Sequence, residues 1–182
     1  MKILAISGSL RVSSSNTAIL RSIAKLAPTN IQLSIYDGLG NLPHFNPELD
    51  NDNVISSVQD WRDRIRASDG IIFCTPEYAH GVPGVLKNGL DWIVSSGEFM
   101  NKPTAVISAS PSIDGGIRAN ESLVQTLRVM MAKTTEETIL CIPAVSAKVS
   151  GDEVTNPLTK QSLISLLDNL VRSILSRGDE AV

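Results

Sequence analysis

Residues 7–17 read Ser-Gly-Ser-Leu-Arg-Val-Ser-Ser-Ser-Asn-Thr, so five serines, one arginine, one asparagine and one threonine fall within eleven positions. These residue types suit the holding of an anion. Hydroxyls and a guanidinium fork donate hydrogen bonds, and Arg11 brings a full positive charge. The stretch follows an apolar run, Ile3-Leu4-Ala5-Ile6, of the kind that makes a buried strand. It precedes Ala18, Ile19, Ile23 and Leu26, apolar residues at helical spacing. It is therefore a strand-to-helix loop, and a helix start adds unpaired backbone N–H groups and a partial positive charge. Phosphate is the anion that this combination suits. One serine would do no more than cap the helix. The loop lacks the Gly-Lys-Ser/Thr ending of a Walker loop and the Gly-x-Gly-x-x-Gly of a dinucleotide fingerprint. It has no cysteine to act as a phosphatase nucleophile. What remains is a loop that holds a phosphate without attacking it.

Two further stretches have unusual composition. Residues 75–84, Thr-Pro-Glu-Tyr-Ala-His-Gly-Val-Pro-Gly, combine two prolines and two glycines with Tyr78 and His80. Prolines fix the backbone and glycines let a flat ligand approach it. Tyr78 is either a ring partner or an ordinary packed tyrosine. His80 has no partner visible in the sequence. Residues 108–118, Ser-Ala-Ser-Pro-Ser-Ile-Asp-Gly-Gly-Ile-Arg, are small, polar and glycine-rich. By themselves they fit a ligand loop or a plain turn equally well.

The elements that must position these loops alternate in type. Strands are expected at 2–6, 31–36, 69–75, 103–109 and 137–145, and helices at 16–26, 54–67, 83–96, 117–132 and 157–176. Residues 37–53 read as a long irregular segment. Residues 31–36 alternate apolar and polar, as at a sheet edge. Residues 71–74, Ile-Ile-Phe-Cys, are apolar enough for the sheet centre. Alternating strands and helices imply an α/β chain whose parallel sheet is covered on both faces. Ligands in such sheets sit beyond the carboxyl ends of the strands, where the three unusual loops would lie side by side. In the helix at 83–96, Leu86, Leu90 and Ile93 share one face. Trp92 falls off that face, which makes it a candidate subunit contact.

Composition excludes several classes. The chain has 182 residues, 42% hydrophobic and 19% charged, consistent with a single domain over 1–182. A net charge of −3 without a basic run argues against nucleic acid as a partner. No apolar stretch reaches the ~20 residues of a membrane span, and residues 1–7 lack a signal-peptide layout. Cys74 and Cys141 read as buried thiols in a reducing cytoplasm. Two histidines and two separated cysteines make no metal cluster.

Taken together, Gly8-Ser9-Leu10-Arg11 with Ser14 and Asn16, Pro76-Glu77-Tyr78 with Pro83-Gly84-Val85-Leu86-Lys87-Asn88 and Asp91-Trp92, and Gly115-Gly116-Ile117-Arg118-Ala119 resemble the NADPH-dependent FMN reductase family. That family includes bacterial quinone and chromate reductases and azoreductase-like enzymes. The resemblance implies a flavodoxin-like three-layer sandwich, a five-stranded parallel sheet with helices on both faces, and non-covalent FMN. By position, Ser9, Arg11, Ser14, Ser15, Asn16 and Thr17 would hold the phosphate. Pro76, Glu77, Tyr78 and Ala79 would lie along the ring. The 108–116 loop, with Ser108, Ser110, Gly115 and Gly116, would close its other side. The family commonly has Asn where this chain has Ala79. Lys87, Asn88, Asp91 and Trp92 are expected to be structural or interfacial, because family members are usually homodimers or homotetramers.

The implied activity is hydride transfer from NADPH or NADH, through bound FMN, to a quinone-like acceptor, chromate, an azo compound or free flavin, in a ping-pong cycle. That chemistry belongs to the cofactor, which is why no acid, base, nucleophile or metal ligand stands out. Two other readings fit a flavodoxin-like chain: an electron carrier and a flavin-dependent redox sensor. Carriers are usually strongly acidic and aromatic at the flavin, whereas this chain is 4% aromatic.

Overall fold

The structure is a computed structural model and describes residues 1–51, 53 and 55–179, the side chains of the last two excepted. Five strands, Lys2–Ser7 (β1), Gln32–Tyr36 (β2), Gly70–Thr75 (β3), Thr104–Ala109 (β4) and Ile139–Ile142 (β5), form one parallel sheet in the order β2-β1-β3-β4-β5. Five helices cover it: Ser15–Leu26 (α1), Ser56–Arg66 (α2), Gly84–Asp91 (α3), Ile117–Val129 (α4) and Pro157–Asp179 (α5).

The period of two in a strand sends alternate side chains to opposite faces. On β3, Ile71 and Phe73 join Leu4, Ile6 and Val106 beneath α2, α3 and α4. Ile72 and Cys74 join Ile3, Ala5 and Ile107 beneath α1 and α5. A strand buried on both faces must be apolar throughout, and every residue of β3 is buried. β2 is the edge strand, and its alternating pattern leaves Gln32 and Ser34 exposed.

The chain departs from the expected elements in several places. The third helix ends at Asp91 rather than residue 96, with turns following it. β5 spans only Ile139–Ile142, because Glu136–Thr138 forms a capped 3₁₀ turn before it. After it, Pro143 lacks an N–H to continue the ladder, and Ala144 adopts left-handed φ of 49°. A two-stranded antiparallel hairpin, Val149–Ser150 (β6) with Glu153–Val154 (β7), had no counterpart in the sequence pattern. The expected start of the second helix at Val54 lies outside the described residues.

Trp92 corrects an expectation. It is 1% exposed, because the irregular segment before α2 folds back over α3. Trp92 Nε1 donates to the Pro43 carbonyl at 2.9 Å, and Phe45 packs edge-on against its ring at 5.0 Å. Asn88 holds the same segment, donating to the Pro43 carbonyl at 3.0 Å and accepting from Phe45 N–H at 2.8 Å. The buried Arg62 guanidinium donates to the Trp92 carbonyl and to Asp50. Trp92 therefore carries no subunit contact. Cys141, expected buried, is half-exposed because β5 is the other sheet edge.

Candidate cofactor site

Because β1, β3 and β4 are neighbours, the loops after them converge at one end of the sheet. The first loop leaves β1 through Gly8, whose N–H donates to the Cys74 carbonyl at 2.9 Å. A Cβ on Gly8 would sit 2.7 Å from Thr75 Oγ1, so only glycine fits. Ser7 Oγ pairs with Thr17 Oγ1 at 2.8 Å and accepts from Ser9 N–H at 3.3 Å, which curls the loop back on itself. Ser14 caps α1, its hydroxyl accepting from Thr17 N–H at 3.4 Å. Asn16 is 5% exposed and braces the ends of β3 and β4. Its Nδ2 donates to the Ala109 carbonyl, and its Oδ1 accepts from the Cys74 thiol, both at 3.3 Å. Burial pushes that thiol's pKa far up, which keeps the proton the contact needs.

In the second loop, Tyr78 N–H donates to the Gly81 carbonyl at 3.1 Å and Gly81 N–H to the Tyr78 carbonyl at 3.0 Å. The two residues between, Ala79 and His80, have φ of 49° and 61°. This is the backbone of a type I′ turn, which Asn and Gly favour. The Glu77 carboxylate bridges the loop tip and α4. Its Oε2 accepts from Ala119 N–H at 3.0 Å, in the first turn of α4, and its Oε1 lies 3.2 Å from His80 Nδ1. It supplies from another loop the capping acceptor that Gly116, the N-cap residue, cannot offer. In the third loop the Asp114 carboxyl accepts from the Ser112 hydroxyl and the Gly116 N–H, which hold its pKa below the usual carboxylate range.

These loops enclose a cavity of about 360 Å³. Ser9, Arg11, Ser14, Ser15 and Asn16 line it from the first loop, Pro76, Glu77 and Tyr78 from the second, and Ser110 from the third. A second cavity of about 350 Å³ adjoins it across Arg11 and Tyr78 and is walled by Gly8, Leu10 and the start of α3. Both sizes suit small-molecule sites. Arg11 and Ser15 line the first cavity, and neither the guanidinium nor the hydroxyl has a protein partner among the described residues.

The other expected site residues lie off the wall. Thr17 is tied to Ser7, and Ala79 sits at the turn tip. Ser108 is fully buried and accepts from Asn120 Nδ2 at 3.2 Å. A Cβ on Gly115 would lie 2.8 Å from Pro143 N, and one on Gly116 3.3 Å from Glu77 Cβ. The wall also includes Ala109 and Pro111, from the third unusual stretch, and Val145 and Ser146, which no motif picked out. Val145 and Ser146 follow β5; the expected strand 137–145 takes in Val145 and stops just before Ser146, and the residues after it carry no expectation of a site loop. Their signal is positional, since they too follow the carboxyl end of a strand.

Residues 1–146 match the model of a family described as NADPH-dependent FMN reductase. The chain belongs to that family. FMN reductases work with FMN and NAD(P)H, and the partnerless donors and the two adjoining cavities fit such a cofactor. A quinone reductase of Pseudomonas putida is 40% identical over 125 residues, which are 66% of this chain and 66% of that protein. An NAD(P)H-dependent FMN reductase of Pseudomonas aeruginosa is 38% identical over 129 residues, 70% of this chain and 69% of the relative. Among solved structures, the NAD(P)H:(acceptor) oxidoreductase FerB from Paracoccus denitrificans superimposes with a TM-score of 0.85 at 29% identity, covering 96% of this chain and 97% of that one. The reductase fold is flavodoxin-like. No group of three or more His, Cys, Asp or Glu able to hold a metal occurs among the described residues. None of their helices is long and apolar enough to cross a membrane.

Proposed function

We propose that this chain is a cytoplasmic NAD(P)H-dependent, FMN-containing oxidoreductase acting on quinones, with residues 1–182 forming one FMN-binding domain. The observation that carries this is the cavity in which a free arginine, three serines of the first loop, one of them the cap of α1, and the Pro76–Tyr78 loop meet at the carboxyl end of the sheet. Arg11, Ser9, Ser14 and Ser15, with the first amides of α1, would hold the phosphate. Asn16 would keep the strand ends in register behind it. Pro76, Glu77 and Tyr78 would border the ring, with Ser110 on the opposite wall. When bound, FMN supplies hydride transfer between nicotinamide and acceptor.

The protein binds, orients and shields. The cavity beside Tyr78, shared by nicotinamide and acceptor, makes the two bind in turn. Chromate, azo compounds and free flavin are further acceptors for the same opening. Steady-state assays with NADH and NADPH against this set of acceptors test the reading. Parallel double-reciprocal plots are expected, and intersecting lines would mean that both substrates bind together.

We further propose a homodimer or homotetramer, on a surface other than Trp92. Val94, Val129 and Met131 are exposed around an apolar groove of about 360 Å³ between the C-terminal ends of α3 and α4. Such a surface suits a second copy. A monomer mass in light scattering at micromolar concentration would contradict this.

A further inference from the structure

The loop after β5 is the fourth wall of the cavity, and backbone hydrogen bonds hold it against the third loop. Ala144, in its left-handed conformation, turns the chain back toward the third loop. There Ala144 N–H donates to the Ser112 carbonyl at 3.0 Å and Val145 N–H to the Ser110 carbonyl at 3.1 Å. Ser110 N–H returns a bond to the Ile142 carbonyl at 3.3 Å. Val145 is 2% exposed and anchors the turn in the core. The next residue, Ser146, is left at the cavity surface, with no partner for its hydroxyl among the described residues.

The chain beyond Ser146 fixes this loop against α1. The β6–β7 hairpin is strapped to that helix at three points. Val154 N–H donates to Ser22 Oγ at 2.8 Å, Arg21 pairs with Asp152, and Lys25 pairs with Glu153 at 2.6 Å. The same helix begins at Ser15, in the cavity wall. One rigid unit therefore carries both the α1 start and Ser146. The hydroxyl also belongs to the cavity that holds the free anion donors, and it is absent from the neighbouring cavity of Leu10, Pro83 and Val85.

We propose that Ser146 is a cofactor-binding residue, its hydroxyl donating to the FMN phosphate from a fourth loop. This rests on the FMN reading above. Each of the three terminal oxygens of a phosphate dianion accepts more than one hydrogen bond, so a donor from the fourth wall adds to those of Arg11, Ser9, Ser14, Ser15 and the α1 amides, and a hydroxyl bonded to a charged group is among the stronger neutral donors.

The test measures dissociation constants of the purified apoprotein for FMN and for riboflavin, which lacks the phosphate. Ser146→Ala is expected to weaken FMN binding about tenfold and to leave riboflavin binding unchanged. Ser146→Thr, which keeps the hydroxyl, should retain most of the affinity, and Ser146→Asp should lose more than the alanine variant through repulsion. Ser146 is exposed, so melting of the apoprotein should not change, and that measurement excludes misfolding as the cause. Equal losses for FMN and riboflavin would overturn the assignment to phosphate. Unchanged FMN affinity in both Ser146→Ala and Ser146→Asp would overturn it altogether. Arg11→Ala separates this from the parent reading. If Arg11→Ala weakens FMN binding and the Ser146 variants do not, the cavity stands and Ser146 is a bystander. If none of them does, the phosphate reading of the cavity fails as well.

Discussion

Glu77→Ala removes a carboxylate whose work, on this structure, is to join two loops. The side chain is 10% exposed, and its Oε2 accepts the Ala119 N–H of α4 at 3.0 Å. Without it that amide, on the buried Ala119, is left with no acceptor. A hydrogen bond to a charged group contributes about 1.5–3 kcal/mol. The contact with the largely exposed His80 adds little, because exposed pairs contribute roughly 0–1 kcal/mol. The expected loss is therefore about 2 kcal/mol, or a drop in Tm of roughly 4–8 °C for a chain of this size. Glu77→Gln keeps an acceptor oxygen and should lose about half as much. The assay is denaturant unfolding of the apoprotein, followed by circular dichroism. Because the carboxylate ties the second loop to the start of α4, directly after the third loop, the alanine variant should also loosen the third loop and weaken FMN binding. An alanine variant as stable as the parent would show that the carboxylate does not cap α4, and the linkage between the loops would have to be abandoned.

Other expectations follow from the same geometry. Arg11→Ala should weaken FMN binding by about 1.5–3 kcal/mol, read by flavin retention on equilibrium dialysis; unchanged retention would remove Arg11 from the site. Ala79→Asn puts a residue that tolerates positive φ into the I′ turn and should raise stability by roughly 0.5–1 kcal/mol, whereas a lower Tm would count against the turn assignment. The Asp50 pKa is held below the usual range by the Ser95 hydroxyl and then by Arg62. A carboxyl lowered in the folded state stabilises above its unfolded pKa and loses that contribution as pH falls through the folded value. Asp50→Asn should therefore be less stable than the parent at neutral pH, with the gap closing in acid. A gap that stays constant down to about pH 2 would refute the role of the charge.

Much of this architecture is legible in residue order, for physical reasons. Ile71 to Cys74 can be apolar throughout only if both faces are covered, and that placed β3 at the sheet centre. Alternation in β2 placed it at the edge. The clustering of serines before an amphipathic run identified the wall around Arg11. Contacts distant in sequence were not legible. Nothing near Trp92 announces that Pro43 and Phe45 will fold over it. Nothing in residues 76–80 says that Glu77 will reach Ala119, 42 residues away. Ser146 stayed hidden because an alanine in the left-handed region is not a visible turn signal, whereas glycine or asparagine would have been.

The double burial of β3 has a consequence for how unfolding is observed. Both tryptophans of the chain, Trp61 and Trp92, lie in the cluster with Ile71 and Phe73, and none lies in the cluster with Ile72 and Cys74. Tryptophan emission is thus a one-sided reporter, blind to the layer formed by α1 and α5. A fluorophore placed on α5 would watch the other layer. Because neighbouring residues of one strand anchor the two layers, the midpoints from the two dyes should coincide. A gap between them would measure how far one half of the sandwich can melt while the other stays folded.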